Sequence, residues 1–428
     1  MPTIDINYSD LPVSPEALRL KVLAWADTFP LVAYYYDHQL PYPHQGFRHM
    51  LAVSAGKPLT IDHNNPFESL RAQLQQKQLL CGYLGYDLKN SIEKLHSSHP
   101  DGLGFPELFF FVPDVILHFN ESGVTIEYTD AYSESVLQTI VATPVPEPVK
   151  PEGIIIQQRV ARQDYIRNVE KVKQHILEGD VYELNYCMEF FAEQADVAPL
   201  PLYLALSEAS PTPFSGYLKC NDKYLLCASP ERFLKKEGTT IVSQPIKGTI
   251  KRGKTEEEDE QLRHQLRHDE KELAENMMIV DLVRNDLSRS CATGSVNVEE
   301  MFGIYGFRQV WQMISTITGS IKPANDLVDV LLGAFPMGSM TGAPKISTMQ
   351  LIEELEVTKR GLYSGAFGYI TPVQDCDFNV VIRSIQYNAS KKYLSFMVGS
   401  AITYDSVPEK EYEECLLKAQ GILKVLQI

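Results

Sequence analysis

A chain of 428 residues with 44% hydrophobic residues and a formal charge of −16 can bury a large core, as two or three domains or one composite domain. An acidic balance of this size lacks the basic footprint of a phosphate-backbone reader, so no nucleic acid is expected as a partner, although a few local cations can still hold a small anion. The first twenty residues have neither a basic start nor an apolar signal region, no apolar run reaches membrane length, and the seven cysteines are scattered without a CxxC pair; these features predict a cytoplasmic protein with no membrane partner, disulfide framework or zinc knuckle.

In chain order, LVAYYYD (31–37) and ELFFFVPDVILHF (107–119) read as strands among helices, in an N-terminal α+β region predicted over 1–143. PVPEPVKP (144–151) has four prolines in eight residues and is a predicted linker to a main domain over 152–428. In DYIRNVEKVKQHILEGD, Ile166, Val169, Val172 and Ile176 share one helical face, and Gly179 is the expected C-cap. YLLCASPERFLKKEGTTIVSQPIKGTI (224–250) reads as an antiparallel meander turning at Glu237-Gly238. Within it Lys247 sits among Ile241, Val242, Ile246 and Ile250; its amine either snorkels to water or, desolvated, serves as nucleophile or base.

A long charged helical stretch is predicted from Thr255 to about Arg289. His264 and His268, four apart, have no HExxH glutamate and read as a solvated face. The loop Gly338 to Lys345 misses the P-loop spacing; it offers either an anion site before a helix or a tight turn needing positive φ. Arg383 lies in an apolar strand pattern, paired with a structural acid or gripping a substrate carboxylate. In the last helix, from about Glu409, Glu411, Glu414 and Lys418 share one stripe, while Tyr412, Leu416, Ala419 and Leu423 line the packing stripe. These acids either favour the helix dipole and pair with Lys418, or join Glu275 as hard oxygen ligands for Mg²⁺. Runs of strands alternating with runs of helices predict an α+β fold, a large two-layer composite of packed antiparallel β-sheets with helices outside.

SPERF (229–233), PIKGT (245–249), ELAENMMIVDLVRNDL (272–287), GSMTGAPK (338–345), FNVVIRS (378–384) and EYEECLLK (411–418), with GYLGYDL (82–88) and GDVYELN (179–185), make the chain resemble the chorismate-utilising enzymes. Anthranilate synthases in that family typically carry alanine where Lys247 stands; lysine marks the branch that makes aminodeoxychorismate. The resemblance implies that Glu231 donates a proton to the departing 4-hydroxyl of chorismate. Lys247 would attack ring C2 to give a covalent amine-linked intermediate, kept partly neutral by an apolar setting. It further implies Mg²⁺ on Glu275 and Glu414 with Glu411 assisting, clamping the ring carboxylate. Arg383, Tyr363 and the backbone of Gly399, Ser400 and Ala401 would hold the enolpyruvyl carboxylate, with Gly248, Thr249, Thr341 and Lys418 as further substrate contacts. Ammonia would come from a glutamine amidotransferase on a separate chain. The rival readings are anthranilate synthase component I and a non-catalytic chorismate- or tryptophan-binding subunit. Departures from the family pattern are Glu183, where glutamine is common, Gln312, where histidine is frequent, and GSAI at 399–402 in place of GAGI. PFSGYL (213–218) matches half of a tryptophan pocket whose partner motif is absent near Ala33 to His38.

Overall fold

The computed structural model describes residues 1–133, 135–147, 149, 151 and 153–427, so the predicted linker at 144–151 falls partly outside the described residues. Among those described, the strands form a twelve-stranded and a nine-stranded sheet with antiparallel pairing. The larger sheet runs Thr3–Asn7, Gly123–Tyr128, Val115–Phe119, Met50–Ser54, Leu31–Tyr36, Phe214–Cys220, Lys223–Ser229, Ser384–Asn388, Tyr393–Ile402, Glu183–Ala192 and the short Gly342–Ala343, with Gln157–Gln158 also paired to Glu183–Ala192. The smaller runs Ile246–Lys251, Val310–Ser320, Thr240–Gln244, Arg232–Glu237, Cys376–Asn379, Ala366–Ile370, Leu80–Leu84 and Leu108–Phe111, with Asn297–Gly306 also paired to Val310–Ser320. Both sheets therefore contain strands from 1–143 as well as from the C-terminal two thirds.

Because successive strand side chains point to opposite faces, each sheet buries both. Leu31, Ala33 and Tyr35 of the larger sheet pack with Tyr83, Phe109, Phe367 and Tyr369 of the smaller one, and the Tyr35 ring stacks on Phe367 at 4.8 Å. The alternate residues Val32 and Tyr34 join a second core under the helices Pro15–Ala26, Arg162–Glu178, Pro199–Ala209 and Pro408–Val425. The outer face of the smaller sheet is covered by Pro66–Leu74, Glu270–Ser290 and Leu327–Ala334. The result is helix, sheet, sheet, helix: α+β, with antiparallel sheets face to face as expected.

Gly179 caps Arg162–Glu178 in the left-handed conformation, with φ 86. The long helical stretch after Thr255 is two helices, Glu256–Arg267 and Glu270–Ser290. Asp269 breaks it, its carboxylate accepting from the Glu272 N–H as a new N-cap. The predicted meander is also divided. Lys223–Ser229 belongs to the larger sheet, Pro230 and Glu231 cross over, and Arg232–Glu237 opens in the smaller sheet. A second crossing runs beside it, from Cys376–Asn379 back to Ser384–Asn388 through Val380 to Arg383. Arg383 is therefore in a connection rather than a strand, with φ 51.

Arg232 anchors the first crossing. Its guanidinium makes a bidentate pair with Asp377, at 2.9 and 3.1 Å, and donates to the Gln45 carbonyl and the Gln244 side chain; Arg232 is 1% and Asp377 2% exposed. Removing one member of such a pair strands the other, so Asp377→Ala should lose about 3–5 kcal/mol in urea unfolding, with most of that recovered in Arg232→Met/Asp377→Leu. A loss below about 1 kcal/mol for the single variant would mean that the carbonyls alone satisfy the guanidinium.

Candidate active site

Thr240–Gln244 and Ile246–Lys251 are one strand interrupted at Pro245, both lying along Val310–Ser320. Between Ile246 and Thr249 the strand advances three residues while its partner advances two, from Ile314 to Gln312. Lys247 and Gly248 form the resulting bulge, and Gly248 has φ 87, a conformation that glycine supplies without strain. The bulge turns Lys247 out of the ladder's alternation and toward the larger sheet. Its Nζ lies 2.6 Å from Glu183 Oε1, at the start of Glu183–Ala192. The side chains are 11% and 2% exposed, so neither snorkels to bulk water.

The apolar setting expected for Lys247 is corrected by this geometry. Burial alone would lower its pKa, but Glu183, Glu275 and Glu231 outweigh that and hold the amine well above the usual lysine range. It rests as an ammonium. Glu231, buried in the first sheet crossing, is pushed up to about 7 by desolvation, against the pull of Ser339 and Lys247. A carboxyl with that value is a competent proton donor near neutrality.

A cleft opens beside these groups, lined by Pro230, Thr249, Gln312 and Arg383 among others. Lys247 and Glu231 are not in its wall, but their neighbours Thr249 and Pro230 are. Among the described residues the Arg383 guanidinium has no hydrogen bond or ion pair, and its burial draws its pKa down. Gln312 Oε1 is likewise buried without a partner. A cation and an acceptor left unmatched at one cleft suit a polar anionic ligand.

Glu275 and Glu411 are 8% and 3% exposed. Lys271 Nζ sits between them, 3.6 Å from Glu275 and 3.7 Å from Glu411, whereas Glu414 pairs with Lys418 at 2.6 Å. Burial pushes Glu275 up to about 7 even with Lys247 and Lys271 nearby, whereas at Glu414 burial is outweighed by Lys418, Lys271 and Lys247, which hold it below the usual carboxylate range; an all-oxygen set of this kind has the donor chemistry for a hard divalent cation. The three carboxylates are not gathered as ligands, however: among the described residues the trio with ligand atoms within 4.8 Å of one another is His175, Glu178 and Asp180, on the surface. His264 and His268 are exposed and stack on each other at 4.1 Å, the solvated face expected.

The other expected contacts divide. Gly399 and Lys418 meet, the Lys418 ammonium donating to the Gly399 carbonyl at 2.8 Å. Ser400 Oγ bonds the Tyr165 hydroxyl at 2.9 Å, and Ala401 lies in the regular strand Tyr393–Ile402 without positive φ. Tyr363 is 3% exposed beside Cys187. Thr341 is fully buried and spends its hydroxyl on the Met337 carbonyl at 3.1 Å. In the glycine-rich loop the tight-turn reading holds: Gly342 has φ 141, and a Cβ there would stand 2.1 Å from the Glu183 carbonyl oxygen. Lys345 turns inward to Asp286 at 2.6 Å.

The family model for chorismate binding enzymes matches residues 33–424. The chain belongs to the chorismate-binding enzymes. It is 36% identical over 362 residues to aminodeoxychorismate synthase component 1 of Bacillus subtilis, covering 81% of this chain and 76% of that one. It is also 36% identical over 364 residues to anthranilate synthase component 1 of Thermus thermophilus, covering 82% and 77%. The crystal structure of anthranilate synthase component I from Streptococcus pneumoniae superposes with a TM-score of 0.78 at 25% identity, over 97% of this chain and 98% of that one.

Within this chorismate-binding fold, sequence reasoning missed the partners. Glu183, Asp286, Glu356 and Asp377 each neutralise a buried lysine or arginine, and the available signal was a charge inside an apolar run such as VYELNYCMEFF. For Arg383 the expected outcome is opposite to that for Arg232: Arg383→Met should melt at the same temperature as the parent or higher, while losing the thermal shift produced by chorismate. A variant that melts much lower would show that the guanidinium has an internal partner.

Proposed function

We propose that this chorismate-binding enzyme aminates chorismate at C4, making 4-amino-4-deoxychorismate for the p-aminobenzoate branch of folate synthesis. The observation that carries the reading is a buried lysine amine, hydrogen-bonded to Glu183, within electrostatic reach of the buried Glu231 carboxyl, which is pushed up to about 7. Lys247 bonds to ring C2 as the 4-hydroxyl departs as water with the Glu231 proton; ammonia then adds at C4 and expels the lysine. Two allylic displacements replace one difficult substitution. Arg383 and Gln312, unmatched at the cleft, receive the enolpyruvyl carboxylate and a neighbouring polar group. Glu275, Glu411 and Glu414 would hold Mg²⁺, which supplies positive charge for the ring carboxylate. A glutamine amidotransferase on a separate chain is the ammonia source in this proposal.

The main alternative, anthranilate synthase component I, is supported by a relative of equal identity. It predicts pyruvate from chorismate, Mg²⁺ and ammonium, where the favoured reading predicts an aminated product that retains the enolpyruvyl group. Intact mass of the protein mixed with chorismate and Mg²⁺ should show a gain of chorismate less one water, localised to residue 247 and absent in Lys247→Ala; an adduct in that variant would refute the nucleophile. Because Glu231 must be protonated to act as the acid, the rate of adduct formation should fall above about pH 7. A rate flat to about pH 9 would remove Glu231 from that role.

A further inference from the structure

In the resting structure the proposed nucleophile is an ammonium with no lone pair to give, so its proton must have a destination. Three carboxyl groups act most strongly on Lys247, with Glu272 and Glu414 also within electrostatic reach: Glu183 from the strand Glu183–Ala192, Glu275 from the helix Glu270–Ser290, and Glu231 from the sheet crossing. Glu231 is assigned the proton for the leaving hydroxyl. Glu275 faces Lys271 at 3.6 Å. Glu183 alone of the three has an oxygen at hydrogen-bond distance from Nζ, at 2.6 Å. Its other oxygen, Oε2, is buried without any hydrogen-bond partner, an open acceptor position on the same carboxylate.

The position of Glu183 is fixed by backbone as well as by charge. Leu184 and Glu183 pair with Gly342 and Ala343, and the absence of a side chain at Gly342 lets the loop approach the Glu183 carbonyl closely. The carboxylate is therefore held on a strand that cannot shift without breaking that pairing.

We propose that Glu183 is the catalytic base for Lys247, taking a proton from its ammonium as substrate closes over the pair and returning it when the lysine is expelled. The inference rests on the reading above that Lys247 attacks the ring. Lysine ammonium and Glu183 carboxylate become amine and carboxylic acid; the amine bonds to C2 as a secondary ammonium while the hydroxyl leaves with the Glu231 proton as water. Ammonia then bonds to C4, the C2–N bond breaks, and Lys247 departs as a neutral amine that recovers its proton from Glu183. The new C4 ammonium restores the Glu231 proton. Nothing is oxidised or reduced, and the sum is chorismate plus ammonia to aminodeoxychorismate plus water. Substrate cover supplies the trigger: loss of the remaining solvent contact of Lys247 favours the neutral pair over the ion pair, since desolvation penalises charged forms.

The test is single-turnover adduct formation followed by intact mass, with chorismate and Mg²⁺ but no ammonium, over about pH 6 to 9, in the full chain. Glu183→Gln keeps an acceptor for Nζ but no base. It should bind chorismate as the parent does, form the adduct about 10²- to 10⁴-fold more slowly at neutral pH, and close that gap relative to the parent as pH rises, since solvent then removes the lysine proton while both proteins lose the Glu231 acid alike. A merely structural ion pair predicts the reverse, because deleting the carboxylate frees the amine; an equal or faster rate in Glu183→Gln overturns the proposal. If that variant does not fold, Glu183→Asp decides, since the shorter side chain should slow the adduct about tenfold or more, and a parental rate overturns the base. No adduct in the parent at any pH overturns the lysine reading itself and this inference with it, whereas a parental adduct with an indifferent variant overturns the base alone.

Discussion

The contact on which the site depends is the pair between Lys247 and Glu183, because it joins two different sheets. Each partner alone would be an isolated charge in a dry interior, a state that proteins avoid by neutralising the group or by moving it. Together they pin the bulge of the smaller sheet against the first residue of a strand in the larger one. The same attraction that makes the pair stable makes the amine unreactive at rest, so stability and reactivity pull in opposite directions at a single atom. Sites that work by proton movement need that tension, and burial supplies it here.

The two adjacent, oppositely directed sheet crossings organise the surroundings of that pair. One carries Glu231, next to the cleft-lining Pro230, and the other carries Arg383 in the cleft wall, so an acid and a cation come from connections rather than from regular strands. Connections tolerate such residues because their backbone is free of the ladder, as the φ of 51 at Arg383 illustrates. Behind them stand fully paired charges, Arg232 with Asp377 and Arg360 with Glu356, whose hydrogen bonds reach backbone carbonyls of neighbouring segments. The paired charges hold the framework, and the unpaired ones face the space where a ligand fits.

Much of this was legible in the residues. The periodicity of Ile166, Val169, Val172 and Ile176 gave a helix ending at Gly179, and the run at 31–37 gave a strand, because local pattern and turn chemistry agreed there. The six motifs marked the family. The division of the helix at Asp269 was missed because acidic residues near a helix start read equally well as helix interior. The partner of Lys247 was missed for a different reason: Glu183 is 64 residues away, and no periodicity connects two strand positions in separate sheets. Only the three-dimensional register, including a bulge of one extra residue, brings them together. The same limit applied to Arg383, whose apolar neighbours imitate a strand although they span a crossing.

The interleaving of distant strands has a consequence for how the chain is made. Leu31–Tyr36 pairs on one side with the nearby Met50–Ser54 but on the other with Phe214–Cys220, so it leaves the ribosome well before its second partner exists. Later, Glu183–Ala192 and Lys223–Ser229 are separated in the sheet by Ser384–Asn388 and Tyr393–Ile402, which are among the last segments synthesised. The nascent chain thus carries uncovered strand edges for much of translation, a state prone to self-association, and such non-local topology closes slowly. A cell making this protein has to shelter those edges until the final strands arrive.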